Sequence, residues 1–212
     1  MSTLRIFHQQ TPVKVLGPYQ RAVIWVQGCN WGCQGCIVPE SWSDHGGYSI
    51  SISELRDWIL CQENIEGVTF SGGEPMLQAE SLITLISEIQ KYRDLGIVCY
   101  TGYTLENLQQ KGTFAQKQLL TKIDLLIDGL YQKHLHQNLL WRGSSNQRLL
   151  LLTPRYQKFM LEYLKRGDVS AGLEFLTELN GELSFVGVPN LPNFRQQFEA
   201  KMRSKGINLT VN

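Results

Sequence analysis

Ala22-Val23-Ile24-Trp25-Val26-Gln27-Gly28-Cys29-Asn30-Trp31-Gly32-Cys33-Gln34-Gly35-Cys36 is the stretch that decides the fold. Its first five residues form a short apolar, β-rich run, the pattern of a buried strand. The run ends at Gln27-Gly28, and a cysteine loop starts directly at its C-terminal end. The arrangement recurs downstream. Gly67-Val68-Thr69-Phe70 reads as a second strand, followed by Ser71-Gly72-Gly73-Glu74-Pro75. Gly96-Ile97-Val98-Cys99-Tyr100 reads as a third, followed by Thr101-Gly102-Tyr103. Ile123-Asp124-Leu125-Leu126-Ile127 reads as a fourth, followed by Asp128-Gly129. Between the first two strands, Ser51-Ile52-Ser53-Glu54 has the form of a capping box, and Leu55, Trp58 and Ile59 follow at helical spacing. That predicts a helix over about 52–62. Leu82, Leu85, Ile86 and Ile89 mark a second amphipathic helix. Strands alternating with helices predict an α/β chain whose parallel sheet is joined by right-handed crossovers. The polar and glycine motifs then collect at the C-terminal ends of the strands, the edge where such folds keep their active sites.

The last sixty residues have a different rhythm. Leu173-Glu174-Phe175-Leu176-Thr177-Glu178 alternates, Asn180-Gly181 follows, and Glu182-Leu183-Ser184-Phe185-Val186 alternates again. An Asn-Gly pair between alternating runs predicts a hairpin. Phe194, Phe198 and Met202 share one face of a final helix that Gly206 stops. The chain therefore divides into a core over residues 1–153 and a small C-terminal α+β appendage over 154–212, with no chemistry visible in the appendage.

Composition limits the function classes. The 212 residues carry 20 Lys plus Arg and 19 Asp plus Glu, a formal net charge of +1. That balance argues against nucleic-acid binding driven by a basic surface. A hydrophobic share of 42% with 10% aromatic residues suits a folded globule. No apolar run approaches the ~18 residues of a membrane span, and the N-terminus lacks the pattern of a secretory signal. A cytoplasmic protein with reduced thiols is expected, and an odd count of five cysteines agrees.

Three of those five cysteines, Cys29, Cys33 and Cys36, fall in one loop. Gly32 and Gly35 relieve the crowding that a turn bearing three thiolates requires. Soft thiolates in a reducing compartment suit zinc or an iron–sulfur cluster. A structural zinc site is normally closed by four ligands in spaced pairs, so zinc would have to recruit His45. Grouped structural cysteines and adjacent disulfides are the other readings, the last disfavoured by compartment and geometry. A three-thiolate cluster would leave one iron open to a substrate. Cys61, in a predicted helix, and Cys99, in a predicted strand, read as small buried apolar residues.

The remaining motifs are less specific. The paired glycines at 72 and 73 let backbone approach a small ligand, and Glu74 can accept a hydrogen bond from a ligand ammonium. Asp128 either holds a cation or a ribose, or caps a turn. Trp141-Arg142-Gly143-Ser144-Ser145-Asn146-Gln147 reads as a polar loop, and His134 and His136 as solvated side chains.

Together these residues carry a family pattern. The chain resembles the radical S-adenosylmethionine (SAM) enzymes, and among them the anaerobic ribonucleotide reductase activating proteins. The likeness runs from about Val13 to Leu150 and rests on Gly17-Pro18, Val26-Gln27-Gly28-Cys29, the cysteine loop, Trp42 and Ser71-Gly72-Gly73-Glu74-Pro75. It continues through Thr101-Gly102-Tyr103, Ile127-Asp128-Gly129 and the tryptophan-to-glutamine stretch at 141–147. Pyruvate formate-lyase activating enzyme is a more distant relative by the same loop. Ile37 stands where such relatives commonly carry an aromatic, and the appendage runs past the compact pattern.

The resemblance implies a partial (βα) barrel of radical SAM type. It implies a [4Fe–4S] cluster on Cys29, Cys33 and Cys36, and SAM on the open iron. Gly72, Gly73 and Glu74 would line the methionine end of SAM, Gly35 and Ile37 would meet it beside the last cysteine, and Asp128 lies among the cofactor-site candidates. The implied activity is reductive cleavage of SAM to a 5′-deoxyadenosyl radical that generates a glycyl radical on a partner. That partner is a glycyl-radical enzyme such as anaerobic ribonucleotide reductase, with a flavodoxin or ferredoxin type reductant. Nucleic acid and membrane are not expected partners. A radical SAM maturase and a non-catalytic iron–sulfur protein are the competing readings. The glycine-rich turn at 71–75 weighs against the second, because an electron carrier needs no SAM site.

Overall fold

The computed structural model describes residues 2–165, 167–177 and 183–206. In chain order the elements are β1 (Thr3–Val13), β2 (Arg21–Val26), β3 (Tyr48–Ser51), α1 (Ile52–Leu60), β4 (Gly67–Gly72), α2 (Ala79–Gln90) and β5 (Gly96–Tyr100). There follow α3 (Leu105–Lys111), α4 (Phe114–Leu120), β6 (Leu125–Asp128), β7 (His136–Leu139), β8 (Arg142–Ser144), β9 (Arg148–Leu151) and α5 (Gln157–Leu164). The last three are β10 (Leu173–Thr177), β11 (Leu183–Gly187) and α6 (Phe194–Ser204).

Seven strands form one sheet in the order β3-β1-β2-β4-β5-β6-β9. The inner four, β2, β4, β5 and β6, are parallel. β1 runs antiparallel to β2 and β3, and β9 antiparallel to β6. The α/β class expected from the sequence holds, but the parallel sheet is corrected to a mixed one. The reason lies in the connections. A parallel neighbour needs a crossover, usually an α-helix, whereas the short link from β1 to β2 and the link from β6 to β9, which carries one 3-10 turn and the β7–β8 hairpin but no α-helix, allow antiparallel return.

Alternation within β2 shows why its run is uninterruptedly apolar. Ala22, Ile24 and Val26 pack on one face with Leu55 and Ile59 of α1 and Leu82, Leu85 and Ile86 of α2. Val23 and Trp25 pack on the other with Val13, Val15, Leu16 and Val186. A strand covered on both faces has no polar side to show. The helix starting at 52 carries its capping box, with the Glu54 amide on Ser51 Oγ at 3.2 Å. It ends at Leu60, so Cys61 is an exposed C-cap residue rather than the buried apolar one expected. Cys99 is fully buried, as expected.

Under the sheet lies a charge that the sequence does not announce. Arg21 is fully buried and donates to Thr69 Oγ1 (2.7 Å), Val68 O (2.7 Å), Gly96 O (2.7 Å), Pro18 O (3.0 Å) and Tyr156 Oη (2.8 Å). Burial lowers its pKa, and these acceptors replace the lost water.

β10 and β11 pair as the predicted antiparallel hairpin. Its Asn180-Gly181 turn lies outside the described residues. Phe175, Phe185, Phe194 and Phe198 bind the hairpin to α6, with ring centroids 5.3–6.2 Å apart. Gly206, at φ +76°, donates its amide to Arg203 O at 3.0 Å and follows the helix end as predicted. Among the described residues, no helix is long and apolar enough to cross a membrane.

Candidate active site

The C-terminal ends of β2, β4, β5 and β6 lie along one edge, and each runs directly into a loop. The cysteine loop leaves β2. Its way back is fixed by backbone bonds from Gly28 N to Ser41 O (2.8 Å) and Cys29 N to Trp42 O (3.0 Å). Gln27 Nε2 also donates to Glu40 O (3.0 Å) and Ser43 O (2.7 Å). Gly32 (φ +59°) and Gly35 (φ +82°) take the left-handed turns that let the loop double back twice within eight residues. Cys29, Cys33 and Cys36 are half-buried.

Burial pushes up all three thiols; charge on Cys36 would raise Cys29 and Cys33 further, charge on Cys29 would raise Cys33, and Glu40 raises Cys36. Cys33 is carried to about 11. Thiols held protonated by burial and by one another become thiolates when a cationic centre supplies the missing charge. This donor set suits a bound iron–sulfur cluster. Among the described residues, no group of three or more His, Cys, Asp or Glu converges to clasp a single metal ion, and His45 does not join the cysteines.

The turn after β4 packs against the cysteine loop backbone to backbone. The Gly73 amide donates to Val26 O and the Glu74 amide to Gly28 O, both at 2.8 Å. A Cβ on Gly73 would stand 2.3 Å from Gly28 O, so only glycine allows this approach. Gly72 likewise lies against Trp25, at φ +93°. Glu74 is 1% exposed. Its Oε1 accepts from Thr101 Oγ1 (2.8 Å) and Met76 N (3.0 Å); its Oε2 accepts from Trp31 Nε1 and Gly102 N, both at 2.8 Å. Desolvation raises its pKa in spite of those donors. The carboxylate expected to meet a ligand ammonium is thus already filled by protein donors, and it ties together the loops after β2, β4 and β5. Trp31, Thr101 and Gly102 lie inside the sequence motifs, but the motifs alone assign them no role in the site. Their signal is position: Trp31 lies between two of the loop cysteines, and Thr101 and Gly102 follow the end of β5.

Asp128, at the end of β6, is fully buried. Its oxygens accept from Arg148 Nε (2.9 Å) and Nη2 (2.5 Å) and from Leu105 N (2.8 Å) at the start of α3. The cation it holds is an arginine of its own chain. His134 is exposed, but His136 is not simply solvated: its Nδ1 lies 3.1 Å from Tyr131 Oη, and its buried Nε2 has no partner among the described residues. Gly35 faces Tyr131, and Ile37 directs its carbonyl to Arg195 Nη1 at 3.2 Å.

Beside Cys33 the edge opens into a cleft of about 630 Å³. Trp31, Gly32 and Gln34 bound one side, residues 130–134 the other, and Pro192 and Asn193 a third. The size is that of a small-molecule site.

A family described as "4Fe-4S single cluster domain" matches residues 15–150. The anaerobic ribonucleoside-triphosphate reductase-activating protein of Enterobacteria phage T4 is 33% identical over 140 residues, 64% of this chain and 86% of that one. Its namesake from Vibrio cholerae is 34% identical over 152 residues, 66% and 94% of the two chains. The chain belongs to this family of activating proteins. The resemblance drawn from the motifs is thereby borne out, and with it the enzyme class and the pairing of an iron–sulfur cluster with SAM. A solved structure described as QueE from Escherichia coli aligns at TM-score 0.45 and 14% identity, over 98% of this chain and 92% of that one.

Proposed function

We propose that this chain reductively cleaves SAM and uses the resulting radical to install a glycyl radical on an anaerobic ribonucleoside-triphosphate reductase. The observation that carries the reading is the meeting of two loops: the loop after β2, which bears three half-buried thiols, packs by its backbone against the glycine turn after β4 and is joined to it by the Trp31–Glu74 hydrogen bond. A reduced [4Fe–4S] cluster held by this loop would supply the one electron that reductive cleavage of SAM to methionine and a 5′-deoxyadenosyl radical requires, and that radical would take hydrogen from a glycine.

Cys29, Cys33 and Cys36 would hold the cluster, and with three protein thiolates it would keep a position for SAM. The backbone at 72–74 lines the methionine end, with Glu74 shaping that ledge rather than touching SAM through its filled carboxylate. Gly35 and Ile37 flank the adenosyl side. Asp128 acts at one remove, by fixing β6 and α3 through Arg148 and Leu105. No general acid or base is required, and among the described residues no paired carboxylates stand at the cleft. The chain's work is to orient the reactants and exclude water. We read the sheet as a partial (βα) barrel over residues 1–153, with 154–212 as an accessory segment, a flavodoxin or ferredoxin type protein as reductant, and the cytoplasm as the setting.

The test is anaerobic reconstitution with iron and sulfide, reduction, addition of SAM and measurement of 5′-deoxyadenosine. Product is expected from the wild type and from Cys61→Ala, and none from Cys33→Ala. A glycine-centred EPR doublet on the reductase is expected to follow. Wild type that binds iron yet yields no 5′-deoxyadenosine overturns the reading.

A further inference from the structure

The family match ends at residue 150, so β10, β11 and α6 lie beyond it. Their sequence shows no chemistry, yet one α6 side chain reaches the cysteine loop. Arg195 places Nη1 and Nη2 on the two oxygens of Glu40, at 2.7 and 2.6 Å. Nη1 also donates to Ile37 O at 3.2 Å, and Nε to Glu199 Oε1 at 2.9 Å. The side chain is only 17% exposed, so water competes weakly for these bonds. Ile37 directly follows Cys36, and Glu40 sits in the turn Pro39–Ser41 that leads the loop back to β2. One planar guanidinium grips two points of that limb, which a lysine ammonium does not reproduce.

The grip is held from behind. Phe194 and Phe198 stack at 5.6 Å and meet Phe185 of β11 edge-on at 5.3 and 6.0 Å. Val186, next along β11, packs into the apolar cluster over β1 and β2. The Glu174 carboxylate of β10 accepts from the Lys14 amide at 3.1 and 3.2 Å. Just ahead of α6, Pro192 and Asn193 form a wall of the cleft beside Cys33. A continuous path of packed and hydrogen-bonded groups therefore runs from the sheet through the hairpin and α6 to the cysteine loop.

We propose that Arg195 is a positioning residue for the cysteine loop: it fixes residues 37–40 and so sets how Cys36 presents its sulfur to the site. The C-terminal segment is then part of the site, not a separate module. The consequence for the cluster rests on the function proposed above; the tethering of the loop does not.

Amide hydrogen exchange on the full-length, metal-free chain tests the tether. Arg195→Met keeps the aliphatic stem and removes the donors. Exchange at Cys36, Ser41 and Trp42 is expected to rise about tenfold, the effect of one lost charged hydrogen-bond pair. Arg195→Lys, which keeps only the charge, should recover part of that protection. Amides of β10 and β11 should keep theirs. Unchanged exchange at 36–42 overturns the proposal, and an equal rise in β10 and β11 reduces Arg195 to an anchor for the appendage and overturns it too. In reconstituted protein, the EPR g-values of the reduced cluster are expected to differ between wild type and Arg195→Met at equal iron content. Identical spectra remove Arg195 from the site. Wild type that takes up no iron sinks the functional reading instead, and the exchange result still decides on the tether.

Discussion

The Trp31 indole donates to the Glu74 carboxylate at 2.8 Å, and this bond fastens the loop after β2 to the turn after β4. The indole also meets Tyr103 edge-on at 4.8 Å, and Gly102 lies so close to it that a Cβ there would stand 2.6 Å from Nε1. Trp31→Phe keeps much of the ring and deletes the donor. It is expected to cost about 1–2 kcal/mol in urea denaturation, the usual loss when a buried acceptor gives up one partner. Formation of 5′-deoxyadenosine should fall by more than that loss explains, because the two loops no longer hold one spacing. Unimpaired turnover would show that the bond serves folding alone.

Glu74 can be interrogated by pH. Desolvation holds its folded pKa above the ordinary 4.5. A carboxyl with a raised folded pKa binds its proton more tightly in the native state than in the unfolded one. Its contribution to stability is therefore complete below the unfolded value and is lost as pH rises through the folded one. Glutamine does not titrate. The stability of wild type relative to Glu74→Gln is expected to decline as pH rises from 4.5 and to level off above the folded pKa. Urea midpoints of both proteins across that range measure it, and a gap that widens with pH would contradict the sign.

Strand-and-loop order is legible because β2, β4, β5 and β6 are buried strands whose short, mostly apolar runs each end at a glycine or polar motif. β1 gives no clear strand pattern in the sequence, since only Leu4, Ile6 and Val13 of its eleven residues are buried. Cys61 could have been placed correctly: the buried stripe of α1 is Ile52, Leu55 and Ile59, and position 61 falls off its phase. The cysteine loop was legible from composition alone. What fills the Glu74 carboxylate was not, because Trp31 is 43 residues away in sequence and Thr101 is 27. Arg195, 155 residues from Glu40, gave no local signal either.

Arg148 bridges a buried and an exposed carboxylate, and the two should answer differently. Asp128 is fully buried, whereas Arg148 is 41% exposed. Arg148→Ala leaves the Asp128 charge with one backbone donor, Leu105 N. The expected loss is about 2–3 kcal/mol, below the range for a fully buried pair because water reaches the guanidinium. Glu106 lies at the surface, and Arg148 depresses its pKa from 4.5 to about 2. Its contribution is present above pH 4.5 and is lost as pH falls through about 2. Added salt should shrink the Glu106→Gln effect and leave most of the Arg148→Ala effect in place.

Arg21 offers the sharpest test of what holds the far end of the sheet. It carries a fully buried charge that, among the described residues, has no carboxylate hydrogen-bonded to it and is satisfied instead by carbonyls of Pro18, Val68 and Gly96 and by the hydroxyls of Thr69 and Tyr156. Gly17 and Gly67 make room for it, since a Cβ at either would lie within 2.7 Å of its side chain. Arg21→Met fills much of the volume but strands those acceptors, each costing about 1–3 kcal/mol when left unpaired and dry. The expected total is about 3–5 kcal/mol, reduced from the simple sum because water or a shift of Tyr156 satisfies some of them. Tyr156→Phe removes a single acceptor and should cost about 1–2 kcal/mol. Made together, the two changes should cost less than their sum, because both break the Arg21–Tyr156 bond. A double-mutant cycle in urea measures this coupling. Strict additivity would mean that the 2.8 Å contact contributes nothing to stability.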